Sequence, residues 1–290
     1  GALAVLTHLG EKYTRPDGSL WDGALYLAES GVSGSVVPLR ALPGLDLPDF
    51  LLGARLLKTL DARGWFASRQ KPNILDLLDI VALGTVADVA QLKGLNRAFV
   101  AQGLKVMSKR RNIGLSALID ASRLTRAPLC HDLGFALGPR INAGGRVGQA
   151  DLGVRLLTTE DPAEAARIAA QLDQYNEERR AIESTVQEQA EALLAAQGNR
   201  AVAVIAGAGW HPGVIGIVAG RIKEKAGRPA IVIALDDAGV GKGSGRSISG
   251  VDLGAAVLAA KDSGLLVAGG GHAMAAGLTV AADRIDALAD

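Results

Sequence analysis

Cysteine, aromatic residues and net charge are all scarce in this chain of 290 residues, and each shortage closes off a class of function. The single Cys130 excludes an intrachain disulfide framework and a cysteine-rich zinc site, which points to a reducing, cytoplasmic compartment. Aromatic residues are 3% of the chain, so Ala, Gly, Leu and Val must build a core of close-packed helices and buried strands rather than stacking platforms. With a formal net charge of +1, a polyanion must be gripped by placed residues and not by a broad basic field. The chain has no convincing run of 18 uncharged apolar residues and no basic leader, so no membrane helix and no signal peptide are expected. Its length suits two ordinary domains. It begins without Met and stops inside a helical run, Asp283–Asp290, and so reads as a piece of something longer.

Periodicity divides what is present. Residues 1–64 carry turn chemistry at Tyr13–Trp21 and Gly/Ser punctuation at Gly31–Pro38, without a chemical motif. Helical spacing runs from Leu51 to Gly64, from Asn73 to Leu83, from Asn96 to Ser108 and from Gly114 to Ala121, which makes residues 65–160 mainly helical. Asp161-Pro162, with Glu164 in a capping-box position, opens a helix whose apolar stripe (Ile168, Leu172, Tyr175, Ile182, Val186, Leu193) continues to Gly198. At 1.5 Å per residue it would be about 50 Å long, and residues 161–198 are expected to form a rigid connector with Glu177, Glu178, Arg179 and Arg180 on its polar faces. Beyond it, the apolar runs Ala201–Ala206 and Pro229–Leu235 alternate with a helix over Val214–Lys225, the signature of an α/β module at 199–290.

The residues suited to chemistry cluster around glycines. In Gly269-Gly270-Gly271-His272, bare backbone followed by a helix-forming run predicts an anion cradle at a helix start, with His272 able to donate to a phosphate oxygen. Lys242–Ser247 adds Ser244, Arg246 and Ser247, two hydroxyls and a guanidinium fork. Arg140, Asn142 and Arg146 sit in what reads as a Gly-rich turn between helices, a further place to position phosphates. His211 follows Trp210 just before a helix start, where base stacking and core anchoring of the indole are equally open. Asp88, in the small apolar segment Gly84–Val89 at a helix end, needs a partner or a cation. A cap or an ion pair is its ordinary use, and a hard divalent cation would want several more ligands than its neighbours supply. His8 and His131 read as structural, and the basic run Lys105, Lys109, Arg110, Arg111 is as well explained by a solvated helix end as by a phosphate contact.

Gly84–Val89, Gly138–Arg146, Asn176–Glu183, Gly209–Gly216, Lys242–Ser247 and Gly269–His272 occur in the order in which the RecJ-type exonucleases of the DHH phosphoesterase superfamily carry similar motifs. The chain resembles that family from about Trp65 to Val280. The resemblance implies an α/β protein made of the C-terminal part of a DHH domain (65–160), a connector helix (161–198) and a DHH-associated nucleic-acid-binding domain (199–290). It further implies hydrolysis of single-stranded DNA from a 5′ end with Mn²⁺ or Mg²⁺, in recombination and repair. Asp88 would be a catalytic metal ligand, His272 a catalytic and substrate-binding residue, and Arg140, Asn142, Arg146, His211, Ser244, Arg246, Ser247, Gly270 and Gly271 would hold the strand. The family's Asp-x-Asp and Asp-His-His motifs are not in this sequence, so the remaining ligands are expected outside it and the chain alone is expected to be inactive. A non-catalytic single-strand-binding module, or a phosphodiesterase of the same superfamily acting on short oligonucleotides, are the alternatives.

Overall fold

The computed structural model describes residues 62–64, 67, 73–198 and 200–289, which form two compact units. One holds the described residues up to Gly144 together with Ala150–Asp173; the other holds Gly145–Gln149 and the chain from Gln174 onward. Residues 1–61 of the atypical segment 1–64, most of the helix expected over Leu51–Gly64, and Trp65 lie outside the described residues.

In the first unit a single 3-10 turn, Ile74–Leu77, precedes α1 (Leu78–Ala87), so the helix expected from Asn73 starts later and runs further. Asn73 explains the start: its side chain accepts from the Leu75 N–H at 3.2 Å. Helix α2 (Gly94–Met107) packs on α1 through Gly103, where any Cβ would collide with the Leu78 carbonyl and the Ala82 methyl. Asn112 caps α3 (Ile113–Ala121) by accepting from the Leu115 N–H at 2.7 Å. The core of this unit is aliphatic: Met107, Leu115, Leu118, Leu133, Leu137, Leu152 and Leu156 are fully buried.

The Gly-rich stretch around Arg140 is a helix and not a turn. A helical turn at Cys130–Asp132 leads through a π-helical segment, Leu133–Leu137, into α4 (Gly138–Val147). The widened turn has a local cause, since Pro139 lacks an N–H and its ring would clash with the carbonyl four residues back in a regular α-helix. Gly138 is required beside it, because a Cβ there would lie 2.7 Å from the Leu133 oxygen and 3.1 Å from the Ala87 methyl. Helix α5 (Leu152–Thr158) follows, then α6 (Pro162–Ala196), whose residues to Asp173 belong to the first unit and the rest to the second. Asp161 caps α6 by accepting from the Ala163 N–H at 2.9 Å. The reciprocal half of a capping box does not form, because Glu164 accepts instead from Thr159 Oγ1 and Arg155.

The second unit is built on a five-stranded sheet in the order β1 (Ala203–Ala208), β2 (Ala230–Leu235), β3 (Val240–Arg246), β5 (Ala275–Ala281), β4 (Ala268–His272). Strands β1 and β2 are parallel and joined by α7 (Ile215–Ala226); the other pairs are antiparallel. On one face Ala203, Ile205, Ala230, Val232 and Ala234 pack under α7 and against Val186 and Ala190 of α6. On the other, Val204, Ile231, Ile233, Ala276, Leu278 and Val280 pack against Leu253 and Val257 of α8 (Leu253–Asp262). The chain closes with a 3-10 turn and α9 (Ile285–Ala289).

The expected cradle at Gly269–His272 is therefore corrected: it is strand β4, and a turn and strand β5 follow His272 where a helix was expected. Two of the three glycines serve close packing. A Cβ on Gly271 would run into the Ala275 carbonyl of β5, and one on Gly269 would lie 2.8 Å from Val257 of α8.

Candidate functional site

Because side chains alternate across a strand and cross-strand partners share a face, the sheet register assembles the site. Three rows run across β3, β5 and β4 on the face that α7 covers elsewhere. They are Arg246–Ala275–His272, Ser244–Gly277–Gly270 and Lys242–Thr279–Ala268. Helix α7 packs over β1, β2 and β3, so the small residues of β5 and β4 are left as an open floor. Among the described residues, nothing lies within 4 Å of a Cβ built on Gly270 or Gly277. The motifs around Arg246 and His272, separate in sequence, thus end in one row of one sheet.

Over this floor lies a cleft of about 760 Å³ whose charged lining residues are Arg146, Lys242 and Arg246, with no carboxylate among its lining residues. Ser244 and Thr279 add hydroxyls, and the first turn of α7 contributes Ile215 and Gly216. The helix start presents N–H groups without intrahelical acceptors and the positive end of its dipole. Gly216 makes that approach possible: a Cβ there would sit 3.0 Å from both the Arg246 guanidinium and Ser244 Oγ. Arg246 is half-buried; its Nη1 donates to Ser244 Oγ at 3.1 Å and to the Gly245 carbonyl at 2.8 Å. Burial, and then the charge of Arg146, push the Arg246 guanidinium below its usual value, so the site concentrates positive charge without balancing it. Arg146 is exposed and anchored by Nη1 donating to the Gly213 carbonyl at 3.1 Å. Such a site suits a phosphate.

Not every residue expected to bind substrate reaches this cleft. Ser247 is buried, and its hydroxyl donates to the Val251 carbonyl at 2.8 Å, fastening the loop after β3. Arg140 belongs to the first unit, where its Nε donates to Asp173 at 2.7 Å and its Nη1 to the Ala136 carbonyl at 2.8 Å; both partners of the ion pair are largely buried. Asn142 is exposed on α4, also in the first unit. His211 flanks the cleft without lining it, its Nδ1 accepting from the Gly213 N–H at 3.0 Å. Gly270 belongs to the open floor, whereas Gly271 is a packing position. His272 is exposed at the end of its row, with Nδ1 accepting from the Met274 N–H at 3.3 Å. Trp210 is a core anchor: it is 7% exposed and its Nε1 donates to Gln189 at 2.6 Å. Lys242 and Thr279 line the cleft although sequence reasoning did not single them out; the alternation of β3 and β5 marks both.

Asp88 is the C-cap of α1, exposed, with its N–H donating to the Gly84 carbonyl; Val89 after it holds a left-handed φ of 57°. A β-branched residue in that region is strained. No group of three or more His, Cys, Asp or Glu able to hold a metal occurs among the described residues, so these residues by themselves do not fit a metal centre. His131, expected to be structural, stacks on the exposed ring of Phe135 with centroids 4.5 Å apart.

The sheet unit, with its phosphate-suited cleft, is of the DHH-associated class. Residues 197–290 match the DHHA1 domain family. Over most of the chain, the single-stranded-DNA-specific exonuclease RecJ of Dickeya dadantii is 42% identical over 266 residues, covering 88% of this chain and 46% of that protein. RecJ of Escherichia coli is 40% identical over 258 residues, covering 85% and 44%. Among solved structures, RecJ of Thermus thermophilus in complex with Mg²⁺ superposes with a TM-score of 0.70 at 33% identity, over 85% of this chain and 38% of that one. An exonuclease RecJ bound to manganese gives 0.67 at 32% identity, over 89% and 65%. The chain belongs to the RecJ family and spans less than half the length of these curated relatives.

Proposed function

We propose that the open face of β3, β5 and β4 holds phosphate groups of single-stranded DNA, as part of a divalent-metal-dependent exonuclease that hydrolyses phosphodiesters from the 5′ end during recombination and repair. The observation that carries this reading is the cleft bounded by Arg146, Lys242 and Arg246 without a carboxylate. In a chain of net charge +1, that is a local and purposeful surplus. Arg246 supplies the fork, Ser244 a hydroxyl, and the bare floor at Gly270 and Gly277 leaves room for the sugar and base to lie against the sheet. His272, in the Arg246 row, is assigned to the phosphate or its leaving oxygen. Asp88 is assigned as one ligand of a Mn²⁺ or Mg²⁺ site whose other ligands lie beyond the described residues. These residues do not make up a metal centre, so hydrolysis is ascribed to a longer protein and no catalytic step is derived from them.

The test is degradation of a 5′-labelled single strand with Mn²⁺. It compares this chain, a longer protein in which it follows an Asp-His-His segment, and that protein with Asp88→Ala. This chain should bind without cutting, the longer protein should cut, and Asp88→Ala should abolish cutting. The same observation on metal groups favours a second reading, a binding module without catalysis. That reading takes over if the longer protein binds the strand but does not degrade it. An active Asp88→Ala protein would remove Asp88 from the metal site.

A further inference from the structure

A second cleft on the same unit, of about 290 Å³, lies where α6 meets α7 and is lined by Arg179, Arg180, Glu183, Ser184, Gln187 and Arg221. Three guanidinium groups there share one lining carboxylate. Glu183 is buried and both its oxygens are spoken for, Oε2 by Arg179 and Oε1 by Arg221 at 2.7 Å. One carboxylate neutralises one guanidinium, so the lining retains a surplus of two positive charges. Arg179 also donates to Asn176 at 2.8 Å, yet its Nε is buried with no hydrogen-bond acceptor among the described residues. A buried donor left so is costly, and an added acceptor would relieve the cost. The Arg221 side chain is half exposed and keeps donors beyond the one used on Glu183.

The two clefts are electrically joined. Burial, opposed by Glu183, lowers the Arg179 guanidinium below its ordinary value, and the charges of Arg146 and Arg180 push it the same way. Arg146 also borders the sheet cleft and bears on Arg246. Like charges therefore follow one another from Arg246 through Arg146 to Arg179, a series that a polyanion would stabilise and a single small anion would satisfy only in part. Helix α7 ties the ends together: Gly216 is in the first cleft and Arg221 in the second, about 8 Å apart along the axis.

We propose that the Arg179–Arg180–Arg221 cleft is a second phosphate site, which takes a later phosphate of the strand whose first phosphate lies on the sheet face. It rests on the reading of that face given above. The test measures binding of this chain to thymidine monophosphate and to a labelled oligothymidylate of several nucleotides across a salt series, for the unaltered chain, Arg180→Ala, Arg221→Lys and Arg246→Ala. Arg221 holds a buried carboxylate, so lysine preserves that charge pair, and Arg180, exposed on α6, gives a variant free of that liability. Arg180→Ala should lower the slope of log affinity against log salt by about 0.7 for the oligonucleotide and leave the mononucleotide unchanged. Arg221→Lys should weaken the oligonucleotide several-fold through loss of the fork. If Arg246→Ala weakens both ligands while Arg180→Ala and Arg221→Lys change neither, the second site is refuted and the sheet reading stands. If Arg180→Ala weakens the mononucleotide as much as the oligonucleotide, the cleft is only part of one diffuse field and the proposal fails. If Arg246→Ala changes nothing, the sheet reading fails and takes this one with it.

Discussion

Arg246→Ala should cost binding far more than folding, and the structure gives the size of each effect. On the folding side, Arg246 makes no ion pair within the described residues. Its removal forfeits two hydrogen bonds to neutral acceptors, Ser244 Oγ and the Gly245 carbonyl, each worth about 1 kcal/mol, and relieves its repulsion with Arg146. The net change is about 1–2 kcal/mol, a shift of a few degrees in melting temperature. On the binding side, a hydrogen bond to a charged group is worth about 1.5–3 kcal/mol, so the Kd for an oligothymidylate should rise about tenfold to a hundredfold. Losing one phosphate contact on a single strand also lowers the salt slope by about 0.7. Between about 50 and 200 mM salt the gap to the unaltered chain should therefore narrow about 2.6-fold. Fluorescence anisotropy across the salt series, with thermal melts on the same preparations, measures both. An unchanged slope would refute the phosphate contact. A fall of ten degrees or more in melting temperature would show that Arg246 is part of the fold.

Gly277→Val should leave the melting temperature unchanged or raise it, since its Cβ meets nothing and valine suits a strand, while oligonucleotide binding falls because the floor is filled; retained binding would show that the ligand does not lie there. Gly271→Ala should do the reverse damage, destabilising by about 1–3 kcal/mol through collision with the Ala275 carbonyl, as read by chemical denaturation. His272→Ala gives up one long hydrogen bond from the Met274 N–H and little packing, so melts should barely move while strand binding weakens; a large loss of stability with binding intact would make His272 structural. The Arg126 guanidinium holds the Asp132 carboxyl below its ordinary value, and the Leu129 N–H adds to it. A depressed carboxyl contributes stability that is complete above the unfolded value of about 4 and lost as pH falls through the folded one. Acid melts of the chain should steepen below about pH 4, and Asp132→Asn should flatten that dependence.

Some of the site was legible because its signals are local. The alternation of Val240–Arg246 places Lys242, Ser244 and Arg246 on one face of any strand, and Pro162 with its apolar stripe at helical spacing specifies a long helix. The glycine run was misread for a physical reason. Glycine has no side chain, so Gly269–Gly271 shows neither the period of a strand nor that of a helix; a loop and a β4 closely packed by β5 and α8 look alike in the letters. The turn expected around Arg140 misled likewise: Gly138 and Pro139 usually punctuate, but a π-helical turn absorbs both.

Sequence by itself determined the α/β class, the aliphatic cores, the long helix and the family, all of which follow from patterns within single elements or from ordered motifs. Only the tertiary structure decided which polar groups remain available to a ligand. Arg140 is claimed by Asp173, thirty-three residues away, and Ser247 by the loop that follows it, while Arg246 has no carboxylate partner among the described residues and shares a cross-strand row with His272. A side chain's chemistry is written in its own residue. Its freedom to act depends on the partners that folding brings within hydrogen-bonding range, and those are set by sheet register and helix packing over distances no local pattern encodes.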